Sequence, residues 1–375
     1  MKKIKIFFFI YRLGGGGAAR TLLNIVNYID KNKFDVTLIT LNFDYNYDQF
    51  VHEDVRFVKL RTKRLRSSIF ELAQLLKKEK PDILFSTVLT YNIVAILAKI
   101  LSFTKTKVIV REAALLGGTS KKENFKLAVA GRLYTFATRV VALSYGVKDN
   151  LMHRYKVPEN KINVIYNPVD LVHIHAEMNQ PLSNEINTIM ERYHKVLVTA
   201  GRFVKEKDQH TLLRAFAKVK DVDNSCLIIL GEGELEASLK KEAKDLQIDD
   251  RVYFVGFQEN PYAIFKRADV FVLTSITEGF GHVLVEALAT ETIVVSTNGK
   301  PGVEEVLDNG KYGLLCEVGN VNDVAEKLTQ AMNFCEEERQ QAITLGMERA
   351  NEFHAAKIVS QYEAMFQQVK GVNNE

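Results

Sequence analysis

The chain has 375 residues, 47% of them hydrophobic and 26% charged; that supports two domains of ordinary size and excludes a disordered chain. Three cysteines (Cys226, Cys316 and Cys335) form neither a CxxC pair nor an even framework, which fits a reducing cytosol and implies no metal site. The net charge of +4 hides an asymmetry, because residues 1–190 carry 29 Lys and Arg against 16 Asp and Glu while the rest carries 21 against 30; the basic part points to an anionic contact, nucleic acid or a membrane surface.

The opening MKKIKIFFFIYRLGGGG imitates a signal peptide. Its apolar stretch is short, Arg12 ends it and no small-residue cleavage site follows, so we read a buried first strand feeding a glycine loop. Further strands are expected at 35–41, 55–60, 82–88, 107–112, 139–144 and 161–167, with helices at 18–30, 67–79 and 123–137 among the segments between them. The apolar run NIVAILAKILSF (92–103) is too short to span a membrane and carries Lys99. Residues 168–193 hold Pro168 and Pro181 and no clear strand; we read them as the crossing between domains. Strands resume at 195–201, 226–231, 251–256, 269–274, 292–296 and 312–317. Helices are expected near 208–218, 234–246, 320–333, 336–351 and 355–369. The alternation predicts an α/β chain of two Rossmann-like domains facing each other across a cleft, with ligands outside the carboxyl ends of the strands. We place the boundaries at 1–170 and 171–354, with 355–375 returning to the first domain.

Four stretches carry candidate chemistry. In YRLGGGGAAR (11–20) four glycines follow a strand and open a helix, which suits a phosphate at a helix N-terminus. Gly14, Gly16 and Ala19 also fit the dinucleotide fingerprint, so an NAD-dependent oxidoreductase using Gly14–Ala19 is the alternative. The acid that would hold the ribose is not evident after the second strand, where Asn42 and Asp44 are the nearest polar residues. ILGEGELE (229–236) is a second glycine turn, weak by itself because Glu234 or Glu236 takes the third glycine position. In TAGRFVKEKDQHTLLRAF (199–216), Arg202 and Lys207 follow a strand, and two cations five apart suit a diphosphate.

TEGFGHVLVEALA (277–289) reads first as loop and then as helix. In one continuous helix Glu278 and Glu286 would stand ~12 Å apart along the axis and ~80° apart around it. The glycines argue instead that Glu278 sits in a loop. Main-chain N–H groups of Gly279, Phe280, Gly281 and His282 then form an anion cradle, and Glu286 accepts from paired sugar hydroxyls. Two decoys are set aside. Asp221 and Asp223 match the Asp-x-Asp of a metal site but precede a strand at the wrong end, and His173 and His175 lack acidic or cysteine company at ligand spacing.

In their order, GRFVKEKDQHTLLRAF, LGEGELEASL, VYFVGF and TSITEGFGHVLVEALATETIVVSTNGKPGVEEVLDNGKYGLL resemble family 4 retaining glycosyltransferases of GT-B fold. VIYNPVD (164–170) extends the resemblance into the first half. The likeness implies a hexose or N-acetylhexosamine transferred from a nucleotide-diphosphate sugar, UDP-linked, to a lipid-linked or cell-surface glycan precursor. It implies that Arg202 and Lys207 neutralise the departing diphosphate, that Glu278 lines the donor sugar, and that Glu286 holds the ribose. Main chain near Phe254–Phe257 would meet the base, and Gly15 and Gly16 would approach the phosphate. No metal and no cofactor are expected. Many relatives have a histidine where Arg111 and Glu112 stand here; those two are the acceptor-side candidates. Thr290-Glu291 replaces a common glycine. The basic half, through KLRTKRLR (59–66), Lys99, Lys105, Lys107, Lys121, Lys122, Lys126 and Arg132, is expected to dock at the cytoplasmic face of an anionic membrane. Nucleic acid is not expected, because no aromatic-basic RNA motif appears.

Overall fold

The computed structural model describes residues 2–14, 16–43, 46–113, 121–219 and 224–371, without the side chains of 46, 47, 121–126 and 128. Its thirteen strands form two parallel sheets and its chain divides into two compact units, Met1–Val169 with Ala355–Glu375, and Asp170–His354. Gly15 and Asp221–Asp223 lie outside the described residues, as does Asp44.

In the first unit the sheet order is β3-β2-β1-β4-β5-β6-β7. The strands are β1 (Ile4–Phe9), β2 (Phe34–Thr40), β3 (Arg56–Lys59), β4 (Ile83–Thr87), β5 (Lys107–Glu112), β6 (Arg139–Ala142) and β7 (Ile162–Val164). The run read as a buried strand is central: Phe7, Phe8 and Phe9 are fully buried, as a strand covered on both faces requires. Helix α1 (Gly17–Tyr28) packs beside the C-terminal helix α15 (Ala355–Lys370), whose Tyr362 and Phe366 rings meet Phe85. The last helix therefore belongs to the first unit. Helices α2 (Ser68–Glu79), α3 (Leu89–Ser102) and α4 (Lys121–Tyr134) form a separate layer in which α3 touches both others. A short helix α5 (Tyr145–His153), capped by Ser144, lies between β6 and β7.

The second unit starts with two helices, α6 (Leu171–Glu177) and α7 (Asn184–Arg192). Its sheet is ordered β10-β9-β8-β11-β12-β13. The strands are β8 (Lys195–Ala200), β9 (Ser225–Leu230), β10 (Val252–Gly256), β11 (Val270–Leu273), β12 (Ile293–Thr297) and β13 (Leu314–Cys316). The connecting helices are α8 (Gln209–Phe216), α9 (Glu236–Asp245), α10 (Tyr262–Arg267), α11 (His282–Ala289), α12 (Gly302–Val306), α13 (Val321–Met332) and α14 (Glu336–Glu352). The first strand, β8, is flanked by β9 on one side and β11 on the other. Strand order reverses there, and the turns leaving β8 and β11 flank the place where such sheets bind ligands.

Candidate active site

Five turns at the carboxyl edge of the second sheet are tied to one another. After β8 the chain makes a turn and a 3-10 segment, Lys205–Lys207, before Asp208 caps α8 through Thr211. Gly201 N–H donates to Leu230 O at 2.9 Å, and Phe203 N–H to Glu232 O at 2.9 Å. A Cβ on Gly231 would stand 2.0 Å from Gly201 O, and one on Gly233 would stand 2.5 Å from Phe203 O. The GEGE turn is thus glycine-rich because it is pressed against the β8 turn, a packing reason that needs no phosphate.

The turn after β11 is fastened to both neighbours. Ile276 N–H donates to Glu206 O at 2.9 Å, and Thr274 Oγ1 donates to Lys207 O and Asp208 O at 3.2 and 3.0 Å. On the other side Glu278 N–H donates to Gly299 O at 3.0 Å and Glu278 O accepts from Gly302 N–H at 2.9 Å. Glu278 is thereby clamped by its own main chain. Its carboxylate bonds the Lys207 ammonium and accepts from Ser275 Oγ at 2.7 Å. Ser275 is fully buried. It is a functional candidate that the sequence reading missed, and the only signal for it is a hydroxyl three residues ahead of the acid.

Glu278 sits in the loop, and α11 starts after it at His282. Gly281 caps the helix at φ 81°, with no side chain supplying a cap hydrogen bond. That left-handed value favours glycine. The helix N-terminus carries a partial positive charge and follows Glu278 directly. The Phe280 ring is buried against Phe353, with centroids 5.1 Å apart, so only its main chain is offered to a ligand. Glu286 lies in the second turn of α11 and is buried. Arg202 is exposed in the β8 turn, and its carbonyl accepts from Gln209 Nε2 at 3.0 Å. Phe257 is half-exposed just past β10. The turns after β9 and β10 also meet, Gly231 N–H donating to Gly256 O at 2.8 Å. Arg202, Lys207, Glu278 and the start of α11 thus come from turns at one edge of one sheet.

In the first unit Gly16 caps α1, and a Cβ there would meet nothing within 4 Å. The fold does not demand a glycine at that point. Arg111 and Glu112 do not present open side chains: they are 1% and 2% exposed. The Arg111 guanidinium bonds Asn167 and donates to Thr87 Oγ1 at 2.9 Å. Glu112 accepts from Tyr134 OH at 2.7 Å, and Asn92 Nδ2 donates to that hydroxyl and to Arg111 O, each at 2.9 Å. Burial pushes the Glu112 carboxyl up to about 7, with the Tyr134 hydroxyl and the neighbouring amide pulling the other way. The expectation of an acceptor-side contact is corrected here to an internal network. Polar side chains buried in a sheet need hydrogen-bond partners; both Arg111 Nη atoms and the Glu112 carboxyl have them here, while Arg111 Nε has none among the described residues.

Comparison with known proteins fits this geometry. The family model "Glycosyl transferases group 1" matches residues 187–347, and "Glycosyltransferase Family 4" matches 15–173. A Campylobacter jejuni N-acetylgalactosaminyltransferase, named for a diphospho-undecaprenol substrate, is 28% identical over 341 residues, covering 88% of this chain and 89% of that one. A second C. jejuni protein, an alpha-1,4-N-acetyl-D-galactosaminyltransferase named for a PP-undecaprenol substrate, is 26% identical over 385 residues, covering 98% and 99%. The crystal structure of Anabaena HepE in complex with UDP and glucose matches at TM-score 0.81 and 19% identity, over 97% of this chain and 100% of that one. These relatives leave the NAD-dependent oxidoreductase reading without support. The chain belongs to family 4 of the glycosyltransferases and has their GT-B fold.

Proposed function

We propose that the chain is a retaining, metal-independent glycosyltransferase that moves a hexose or N-acetylhexosamine from a UDP-linked donor to a lipid-linked or cell-surface glycan precursor. The observation that carries this reading is the Lys207–Glu278 pair, set where the second sheet's strand order reverses and directly ahead of the α11 N-terminus. Breaking a sugar–diphosphate bond builds negative charge on the leaving group. Lys207, Arg202 and the amides opening α11 are fixed positive groups that stabilise this charge without a metal. Glu278, held by its main chain and by Ser275, faces the sugar. Glu286 takes the ribose hydroxyls, and the turn from Phe254 to Phe257 takes the base. The 1–170 segment serves as the acceptor-side domain and 171–354 as the donor-binding one. Departure of the diphosphate and attack by the acceptor take place on one face of the sugar, so its configuration is kept.

The lipid-linked acceptor is favoured by the undecaprenol named for both C. jejuni relatives. On this reading the enzyme works in the cytoplasm, peripheral on the inner face of the cell membrane. The test is a panel of nucleotide sugars assayed for slow donor hydrolysis by nucleoside-diphosphate release. One UDP-sugar is expected to turn over. No release from any donor, with or without membrane extract as acceptor source, would end this reading.

A further inference from the structure

We infer that the solvent face of the α2–α3–α4 layer docks on an anionic lipid surface. Helix α3 is apolar nearly all round. One side is core, with Val94, Ala95, Ile96 and Ala98 buried. The other carries Ile93, Leu97, Ile100 and Leu101 at i, i+4, i+7 and i+8, all of them partly or largely exposed. A helix apolar on every side normally lies inside a protein or a bilayer, yet this one meets solvent. The exposure continues onto its neighbours: Phe103 is 92% exposed at the end of α3, Phe70 of α2 65%, and Phe136 after α4 63%. Strands β5 and β6 pair in parallel, with Ile109 opposite Arg139. The turns that hold Phe103 and Phe136 therefore enter the sheet side by side at its amino edge.

Charge selects the occupant. Between Asp82 and Glu112, and again between Glu123 and Asp149, the chain contains no acidic residue. Lys105, Lys107 and Arg132 are exposed beside the apolar side chains, and Lys77 and Lys78 are exposed on α2. The acids of α2 are engaged elsewhere, Glu79 with Lys5 and Arg56, and Glu71 with the Arg61 amide. Apolar side chains accompanied by cations that make no ion pair among the described residues suit the boundary between headgroups and acyl chains of an anionic leaflet. Arg61–Arg66 follows β3 at the carboxyl edge, whereas Lys105 and Lys107 enter β5 at the amino edge. The two basic clusters thus flank the helical layer from opposite ends. The choice of lipid rests on the lipid-linked acceptor proposed above.

The experiment is flotation of the full chain with phosphatidylcholine vesicles, with and without 30 mol% phosphatidylglycerol. The wild type is expected to float with the anionic vesicles, less at high salt, and not with phosphatidylcholine alone. Phe103→Ser with Phe136→Ser should lower partitioning by about ten-fold or more. Both rings are exposed, so the melting temperature and the rate of UDP-sugar hydrolysis should stay unchanged. Docking is overturned if the wild type ignores anionic vesicles at low salt, or if the double variant floats equally well. It is also overturned if the face instead holds a second copy, seen as a concentration-dependent dimer that the two substitutions abolish. Flotation without hydrolysis of any UDP-sugar would sustain docking and sink the donor reading separately.

Discussion

Replacing Lys207 with Ala tests the diphosphate assignment. In the resting enzyme its ammonium bonds Glu278, and the two side chains are 21% and 14% exposed. A pair of that exposure, partly screened by solvent, contributes about 1 kcal/mol or less to folding. Glu278 keeps the Ser275 hydroxyl and both main-chain clamps when the lysine is lost, so the fold should survive. In the transition state the same ammonium would face a leaving diphosphate. Losing one such preorganised charge costs on the order of 3 kcal/mol, or a factor of ~100 in kcat. Turnover should therefore fall about a hundredfold while the melting temperature moves by only a few degrees. UDP release from the donor that the wild type hydrolyses gives the rate, and thermal unfolding gives the control. A rate within threefold of wild type would refute the reasoning; a collapse of the fold would show that the stability estimate is wrong.

Glu278→Ala should leave UDP affinity nearly intact and lower transfer, whereas Glu286→Ala should weaken UDP binding itself; calorimetry with UDP that finds equal losses would break this division of roles. Activity should persist in EDTA if, as proposed, the cations of the β8 turn and the start of α11 do the work of a metal; complete loss restored by manganese would reverse this. Glu112 has a folded-state pKa raised to about 7 from 4.5. The folded chain then holds a proton that the unfolded chain has released, so stability falls as pH rises from 4.5 to 7, by a total on the order of 3 kcal/mol, and stays lower above that. Denaturation midpoints from pH 5 to 8 should show this slope in wild type and a flatter one in Glu112→Gln; identical slopes would remove Glu112 as the cause.

Twelve of the thirteen described strands lie within two residues of where their apolar runs place them, because parallel strands covered on both faces are nearly continuous in Val, Ile, Leu and Phe; the exception is the half-buried edge strand β7, expected over 161–167, which stops at Val164. Short helices were harder to see. Residues 168–193 read as a strandless crossing but hold α6 and α7, capped by Asp170 and Ser183. A helix of seven to nine residues offers too few turns for a clear period. At the site, the loop-to-helix change at Gly281 was legible from its glycines. The Lys207–Glu278 bond was not, because it joins residues 71 apart in sequence, and only the β8–β11 pairing brings them together. Arg111 and Glu112 were misjudged for a related reason. They end a strand, where ligand contacts are common, but Asn92, Tyr134 and Asn167, which surround them, come from distant segments.

The most direct measurement of the central claim is a crystal structure of the chain soaked with UDP. The account predicts the diphosphate beside Lys207, Arg202 and the start of α11, with the ribose hydroxyls on Glu286. A nucleotide bound instead along Gly14–Ala19, with the β8 and β11 turns left unoccupied, would contradict it.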